Sequence, residues 1–399
     1  MLVTQQQTPV PSQVSGKDAT SGTGDVRVKL FARTDVGQVR EHNEDNFLVA
    51  DLTRRSRGLL EANRATTIGQ QGAVFAVCDG MGGAAASEIA SQLAVDIIYE
   101  HLVEGLSDQH PLKRDELARR LVRAVEAAGL RIFHEAKADR SRRGMGTTVT
   151  AAALVDDILF FAQVGDSRGY VLRGDTLVQL TRDQSLVNQL IEAGQLTEEE
   201  AETFEHNNII LQALGTSDTV QVDLTFCELR RGDTLLLCSD GLSGMVRFEE
   251  IREVLRSSSE PLEVCKALTE RANQAGGHDN ITVIVVQFDG ESLKSADHDQ
   301  EPLKYRKYIL GEEADSTTMP TANTHPHGMA AGEMSPDGTP RAPAVASLPP
   351  PGGGWQDHIH PDDSRIDIPG THVPLWMVAG IVLGVIVLLA GAAWLFLHS

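Results

Sequence analysis

The chain has 399 residues, of which 56 are acidic and 35 basic, for a formal net charge of −21. Such an excess of acid argues against a nucleic-acid-binding protein, which needs a basic surface to neutralise phosphates. The hydrophobic share of 41% and the charged share of 23% are typical of a globular protein. The four cysteines (Cys78, Cys227, Cys238 and Cys265) form no CxxC or Cys/His pair, so neither a disulfide framework nor a zinc–cysteine site is predicted.

The first 25 residues are polar, and we predict a disordered N-terminal segment over residues 1–25. They contain no basic stretch followed by an apolar one, so no secretory signal is predicted.

Residues 26–289 are predicted to form one folded unit. Strands are expected at residues 26–31, 47–50, 73–78, 147–155, 158–164, 169–172, 222–226, 234–238 and 281–288. Helices are expected at residues 84–104, 112–138, 185–203, 248–256 and 261–275. Because strands come in clusters with helices in pairs between them, we predict an α/β fold. Its two packed, mainly antiparallel sheets would be flanked by helices in an α-β-β-α sandwich, unlike a doubly wound parallel sheet.

The C-terminal part differs sharply in composition. Residues 290–374 are rich in Pro, Gly, Ser and Thr and are predicted to be a disordered linker. Residues 375–397 carry no charge, and a helix of that length would span roughly 34 Å, enough for a hydrocarbon core of ~30 Å. We predict a transmembrane helix there, with Trp376 and Trp394 near its ends. A buried core helix is the alternative, but core helices rarely run so far without a polar face.

The position of this span predicts the localisation. Only His398 and Ser399 follow it, so we expect a single-pass protein of the cell membrane with its catalytic part in the cytoplasm. Gly380 and Gly384 have the GxxxG spacing by which two spans can pack together. That spacing is common by chance in apolar helices, so it gives dimerisation only weak support.

Four segments end an apolar run with an acidic residue beside a turn-former: AVFAVCDGMGG (73–83), FFAQVGDSR (160–168), TLLLCSDGLSG (234–244) and GGHDNITV (276–283). One Asp-Gly pair is most often a turn. Several carboxylates at strand ends repel one another unless a cation lies between them, and Mg²⁺ and Mn²⁺ prefer oxygen ligands. We therefore predict Asp79, Asp240 and Asp279 as metal ligands, with Gly80 presenting its backbone carbonyl.

The ordered motifs VREHNEDNF (39–47), VCDGMGG, GMGTT (144–148), VGDSRGY, LCSDGLSG and GGHDNIT resemble the metal-dependent type 2C serine/threonine protein phosphatases, particularly the bacterial members. The resemblance spans about residues 26–289 and implies a β-sandwich flanked by helices. It also implies that a metal-activated water hydrolyses phosphoserine and phosphothreonine in proteins.

The resemblance assigns metal ligands by position. Asp79 would bridge two Mn²⁺ or Mg²⁺ ions. Asp240 and Asp279 would complete the site of one ion, and the Gly80 carbonyl would contact the other. Asp166 matches the ligand of a third, weaker ion shared with Asp240.

The same comparison gives roles to the segment before the second strand. Glu44 and Asp45 match acids that hold metal-bound waters. Arg40 matches the arginine that grips the substrate phosphate, and its planar fork suits two phosphate oxygens. Together with Asp79, Arg40 is the residue expected to be catalytic.

Two features leave questions open. Met81 stands where animal members carry a histidine that protonates the leaving group, so that acid is unassigned, and His42 is only a candidate. Residues 181–215 match the flap beside the active site of bacterial members, and Gln184 stands there where many have histidine.

The expected partners are phosphorylated proteins, including a membrane serine/threonine kinase whose action this phosphatase would oppose. Two other functions stay open. One is a membrane-tethered pseudophosphatase that binds phosphoproteins or scaffolds a complex, against which the intact set Asp79, Asp240 and Asp279 argues. The other is a phosphoesterase that acts on small molecules, which the sequence does not separate from a protein phosphatase.

Overall fold

The computed structural model describes residues 26–310, apart from 59–64, 108, 202–203, 205–207 and 296–301. The predicted N-terminal segment 1–25, most of the predicted linker and the predicted span 375–397 lie outside the described residues. None of the helices in the described part combines the length with the apolar character that a membrane span requires.

The described strands, in chain order, are β1 (Val26–Asp35), β2 (Asn46–Asp51), β3 (Ser56–Arg57), β4 (Thr66–Ile68), β5 (Ala73–Cys78), β6 (Gly80–Met81), β7 (Gly146–Thr147), β8 (Val149–Val155), β9 (Ile158–Val164), β10 (Arg168–Arg173), β11 (Thr176–Gln179), β12 (Asp223–Glu228), β13 (Thr234–Cys238), β14 (Ile281–Gly290) and β15 (Tyr305–Lys307). The helices are α1 (Ala84–Val103), α2 (Arg114–Ala138), α3 (Leu186–Glu192), α4 (Glu198–Ala201), α5 (Asp240–Ser243), α6 (Phe248–Ser257) and α7 (Pro261–Gln274). A one-turn 3₁₀ helix covers Arg140–Arg142.

Two sheets form the sandwich. One has the strand order β11-β10-β13-β14-β1-β4, and the other has β15-β12-β9-β8-β5-β2-β3. Their strand pairs are antiparallel, as in β1–β14, β13–β14, β2–β5 and β8–β9. Helices α1 and α2 pack on the second sheet and α7 packs on the first. The predicted sandwich of antiparallel sheets flanked by helices is confirmed.

Strand β5 shows why several strands read as continuous apolar runs. Phe75 and Val77 point into the core between the sheets, whereas Val74 and Ala76 point into the core under α1 and α2. Both faces are therefore removed from water, and no polar position is left in the strand. The four cysteines are likewise buried and free. Burial raises the pKa of the thiols, to about 12 for Cys227, Cys238 and Cys265, as expected for packing groups.

Some elements differ from the sequence prediction. The helix expected at 185–203 is divided into α3 and α4, because Gly194 adopts a positive φ of 67° between them. Strands β3, β4, β11 and β15 were not predicted, since they are short edge strands in which alternation cannot be distinguished from chance.

The folded domain extends past the boundary predicted at residue 289. Leu293 and Leu303 are buried, and β15 pairs with β12. The Tyr308 ring packs edge-on against Phe160 and Phe226, with centroids 5.1 and 5.4 Å away. The linker predicted from residue 290 therefore starts too early. Composition alone does not distinguish this segment from a linker, because its few apolar residues are scattered among charged ones.

Candidate active site

The predicted acidic residues all lie at strand ends: Asp79 after β5, Asp166 after β9, Asp240 after β13, Asp279 before β14, and Glu44 and Asp45 before β2. The antiparallel register sets which ends meet. Asn46 at the start of β2 pairs with Cys78 at the end of β5, and Cys238 at the end of β13 pairs with Val283 in β14. Both sheets therefore contribute carboxylates to one end of the sandwich.

Asp79 and Asp240 form the buried centre of this cluster. Burial raises the pKa of Asp79 well above its ordinary value, and the charges of Asp45, Asp240 and Asp166 add to the rise. The pKa of Asp240 is also raised, by burial first and then by Asp279, while a hydrogen bond with Asp79 lowers it. The two carboxyls are buried close enough for their charges to interact, and two like charges in such a place repel each other.

Asp166 and Asp45 have the same character. Burial raises the pKa of each to about 7, and repulsion from Asp240 contributes in both cases. The hydroxyls of Thr282 and Ser239 lie close to Asp45 and offset part of its rise. Neither oxygen of Asp45, however, has a hydrogen bond of good geometry.

Unsatisfied oxygens provide a test of whether a cation fits. Among the described residues, the buried side-chain atoms without a hydrogen-bond partner include both carboxylate oxygens of Asp45 and one each of Asp166 and Asp240. Such oxygens are costly unless a cation or a proton satisfies them. No three His, Cys, Asp or Glu side chains of the described part are yet gathered at ligand distance. The donor set fits hard divalent cations.

Arg40 lies at the exposed edge of the cluster. Its Nη2 donates to Asp279 Oδ2 over 2.7 Å, with the two side chains 48% and 35% exposed. The structure therefore brings the predicted phosphate-binding residue into contact with a predicted metal ligand. Glu44 is half-buried beside them, and its backbone carbonyl accepts from Ser91 Oγ at 2.6 Å.

Asn280 is a positioning residue to which the sequence analysis gave no role. Its Nδ2 donates to the carbonyls of Val36 and His42, at 2.9 Å each, and its Oδ1 accepts from Glu44 N at 2.7 Å. These bonds fasten residues 36–44, which carry Arg40, to the start of β14. The signal was available in the sequence, because Asn280 directly follows a predicted ligand in the GGHDN motif.

The GMGTT segment holds the backbone of Asp79. Thr148 N and Thr147 Oγ1 both donate to the Asp79 carbonyl at 2.8 Å, and Asp79 N donates to Thr148 Oγ1 at 3.1 Å. The next residue, Gly80, has no room for a side chain. A Cβ there would lie 2.5 Å from the Glu44 carbonyl oxygen and 2.6 Å from that of Ser87.

The flap begins beside Asp166. Arg168 forms an ion pair with Asp183 at 2.7 Å, which joins β10 to the first residues of the flap. Gln184 exchanges hydrogen bonds with Gly165: Gly165 N donates to Gln184 Oε1 at 3.0 Å, and Gln184 N donates to Gly165 O at 2.9 Å. His42, the candidate proton donor, lies exposed in the Arg40 segment.

Comparisons with known proteins agree with this geometry. The family model described as protein phosphatase 2C matches residues 56–278. Protein phosphatase PhpP of Streptococcus pneumoniae is 38% identical over 267 residues, covering 67% of this chain and 100% of that protein. The crystal structure of the Mycobacterium tuberculosis serine/threonine phosphatase PstP/Ppp has a TM-score of 0.55 at 35% identity, covering 66% of this chain and 99% of that one. The PstP catalytic domain in complex with two manganese ions has a TM-score of 0.54 at 35% identity, with the same coverage.

The chain belongs to the protein phosphatase 2C family. It is an enzyme, a protein serine/threonine phosphatase of the bacterial type.

Proposed function

We propose that this phosphatase hydrolyses phosphoserine and phosphothreonine in proteins with Mn²⁺ or Mg²⁺ held by Asp79, Asp240, Asp279 and the Gly80 carbonyl. The observation that carries the proposal is the buried carboxylate cluster with unsatisfied oxygens at one end of the sandwich. Divalent cations at such a site supply Lewis acidity and lower the pKa of bound water towards neutrality.

The protein's own groups bind and orient the substrate. One nitrogen of Arg40 bonds Asp279, so its remaining N–H donors are available for two oxygens of the phosphate. Asp279 thereby orients the guanidinium. Glu44 and Asp45 supply acceptors for ordered water next to the cluster, and Thr147 and Thr148 hold the Asp79 backbone in place.

The choice and number of metals belong to the same proposal. A PstP catalytic domain of this fold binds two manganese ions, which supports Mn²⁺ here. Mg²⁺ has the same preference for oxygen ligands. A third ion at Asp166, shared with Asp240, is supported by the unsatisfied Oδ1 of Asp166 and by the burial of that carboxyl.

The test is phosphate release from a phosphothreonine peptide by the full chain, in Mn²⁺ and in chelator. Asp79→Asn should abolish metal-dependent release. The matched control is Asp175→Asn, at a largely exposed aspartate in the β10–β11 turn. Peptide binding without release would indicate a pseudophosphatase. High turnover of nucleotides or sugar phosphates with little turnover of phosphopeptides would indicate a small-molecule phosphoesterase.

We further propose that residues 375–397 anchor the enzyme in the cell membrane, with the catalytic domain in the cytoplasm and the residues after 310 as its linker. The uncharged run and the four free cysteines support this arrangement. Confinement beside a membrane serine/threonine kinase would raise the local substrate concentration. Deleting 375–397 should slow dephosphorylation of a vesicle-bound kinase and leave peptide turnover unchanged. Equal rates on the vesicle-bound substrate would contradict the anchor.

A further inference from the structure

Residues 140–144, here termed the arginine loop, precede β7 and carry two exposed arginines. Among the described residues, neither the Arg140 nor the Arg143 side chain has an ion-pair or hydrogen-bond partner. Their neighbour Arg142 differs, because its guanidinium bonds Glu135 at 2.9 Å. Two uncompensated positive charges thus lie close together in a chain of net charge −21.

The arginine loop adjoins the residues around Asp79. Strand β7 pairs with β6, with Thr147 opposite Gly80, and Thr147 also bonds the Asp79 carbonyl. On the arginine loop itself, the Gly144 carbonyl oxygen would lie 3.1 Å from a Cβ at Gly82. Gly82, an exposed glycine three residues after Asp79, therefore lies next to the arginine loop.

The backbone of the arginine loop is fixed. Asp139 Oδ1 accepts from Ser141 N at 2.9 Å and from Ser141 Oγ at 2.7 Å. Met145 is fully buried, and its N–H donates to the Arg142 carbonyl at 3.1 Å. Binding an anion would therefore order only the arginine side chains, which keeps its entropic cost low.

We propose that Arg140 and Arg143 bind a second anionic group of the substrate, a carboxylate or phosphate near the phosphoresidue that is hydrolysed. This inference rests on the proposed function and adds a preference for acidic or multiply phosphorylated segments. Arg143 is four residues from Thr147, so its backbone lies at most ~14 Å from the strand pair beside Asp79. An extended peptide covers that distance in about four residues.

Guanidinium groups suit this role because their planar fork matches both carboxylate and phosphate. The loop is exposed, so each contact should change affinity by only about 1.4- to 5-fold, and the two together by about 2- to 25-fold. Salt should reduce the preference, because exposed charges are screened within ~8 Å at physiological ionic strength.

The test compares three peptides of equal length that share one phosphothreonine. One has neutral flanks, one carries glutamate at positions up to four residues away, and one carries a non-hydrolysable phosphonate there. With the full chain in Mn²⁺, both anionic peptides should have a lower KM than the neutral one, with little change in kcat. The double variant Arg140→Ala, Arg143→Ala should lose the difference, and Arg143→Lys should retain part of it. Arg306→Ala removes another exposed arginine, on β15, and should leave the preference intact.

Binding separates this inference from the proposed function. Replacing the phosphothreonine itself by a phosphonate gives ligands whose affinities do not depend on turnover. Equal affinity for neutral and anionic ligands, or a preference that survives the double variant, would overturn the subsite. Absence of release from the neutral peptide would contradict the proposed function alone. A preference for only one of glutamate and phosphonate would show which anion the subsite takes.

Discussion

Arg40 and Asp279 are 239 positions apart in the chain, yet Nη2 of the arginine donates to Oδ2 of the aspartate over 2.7 Å. The contact crosses from the loop after β1 to Asp279, two residues before β14. Because β1 and β14 are paired throughout their length, with Asp35 opposite Ile281, the sheet register itself brings the two side chains together. The backbone hydrogen bonds of the sheet thus bring the residue proposed to bind phosphate next to a residue proposed to bind a cation.

Replacing Arg40 should weaken the turnover of a phosphopeptide without weakening cation binding. Arg40→Ala should lower kcat/KM for a phosphopeptide by about 10- to 100-fold, because hydrogen bonds to charged groups contribute about 1.5–3 kcal/mol. Cation affinity, measured by calorimetry, should not fall, since Asp279 loses a competing partner. Arg40→Lys keeps the charge without the fork and should recover only part of the activity. A variant with weakened cation binding and unchanged KM would show that Arg40 serves the metal site instead.

The carboxylate cluster predicts how stability depends on pH. In the metal-free protein the pKa of Asp45 and of Asp166 is raised from 3.8 to about 7. The folded state then binds more protons than the unfolded state between these values, so stability is lost as pH rises from about 4 to about 7. The Tm in chelator should fall between pH 5 and pH 7.5, and Asp45→Asn should reduce the slope.

Mn²⁺ should reverse this trend, because it displaces the protons and stabilises the folded state. The rise in Tm on adding Mn²⁺ should be larger at pH 7.5 than at pH 5.5. A metal-free Tm that stays flat or increases over this range would contradict the assignment of protonated carboxyls.

Asn280→Ala should raise KM, whereas a core substitution with a similar loss of stability should not. Asn280→Ala removes three hydrogen bonds, worth about 1 kcal/mol each, and releases the segment that carries Arg40. We expect the free energy of unfolding to fall by about 3 kcal/mol and KM to rise. Leu121→Ala, in the core under α2, should cost about 2–5 kcal/mol but leave KM unchanged. Equal KM values for the two variants would reduce Asn280 to a purely structural residue.

The segment up to residue 310 should be needed for a stable domain. Ending the chain after residue 290 should lower the Tm, whereas ending it after residue 310 should not. Tyr308→Ala should cost about 1–3 kcal/mol by losing its contacts with Phe160 and Phe226. Ile309→Ala, at a side chain 84% exposed, should stay within about 0.5 kcal/mol. Thermal unfolding of the two shortened chains measures the Tm, and chemical denaturation of the two single variants measures the free energy of unfolding.

Much of the sandwich could be predicted because buried strands appear in the sequence as runs of apolar residues. The strand runs before Asp79 and Asp240 are apolar, and each ends at an acidic residue that has no place in a hydrophobic core. The sequence therefore located the carboxylates. Which carboxylates come together depends on strand register, and local sequence does not show the register. The expectation that they form one site came from the resemblance to a known family.

The remaining features depend on distant partners. Tyr308 looks like part of a polar tail until Phe160 and Phe226 are placed beside it, and Asn280 gains its meaning from the carbonyls of Val36 and His42. Tyr308 has no periodic pattern around it, and the GGHDN motif marks Asn280 without showing which carbonyls it binds. A single sequence shows the periodicity of apolar residues and the composition, but not which isolated side chain contacts residues far away in the chain.

The order of β14 in its sheet has a consequence for biosynthesis. This strand lies between β13 and β1, so the first described strand has no neighbour on that side until almost the whole domain has left the ribosome. Asp279 lies two residues before β14, and Asp79 follows β5 of the other sheet. A nascent chain therefore cannot bring Asp279 to the other carboxylates until β14 has been synthesised, close to the end of the described domain.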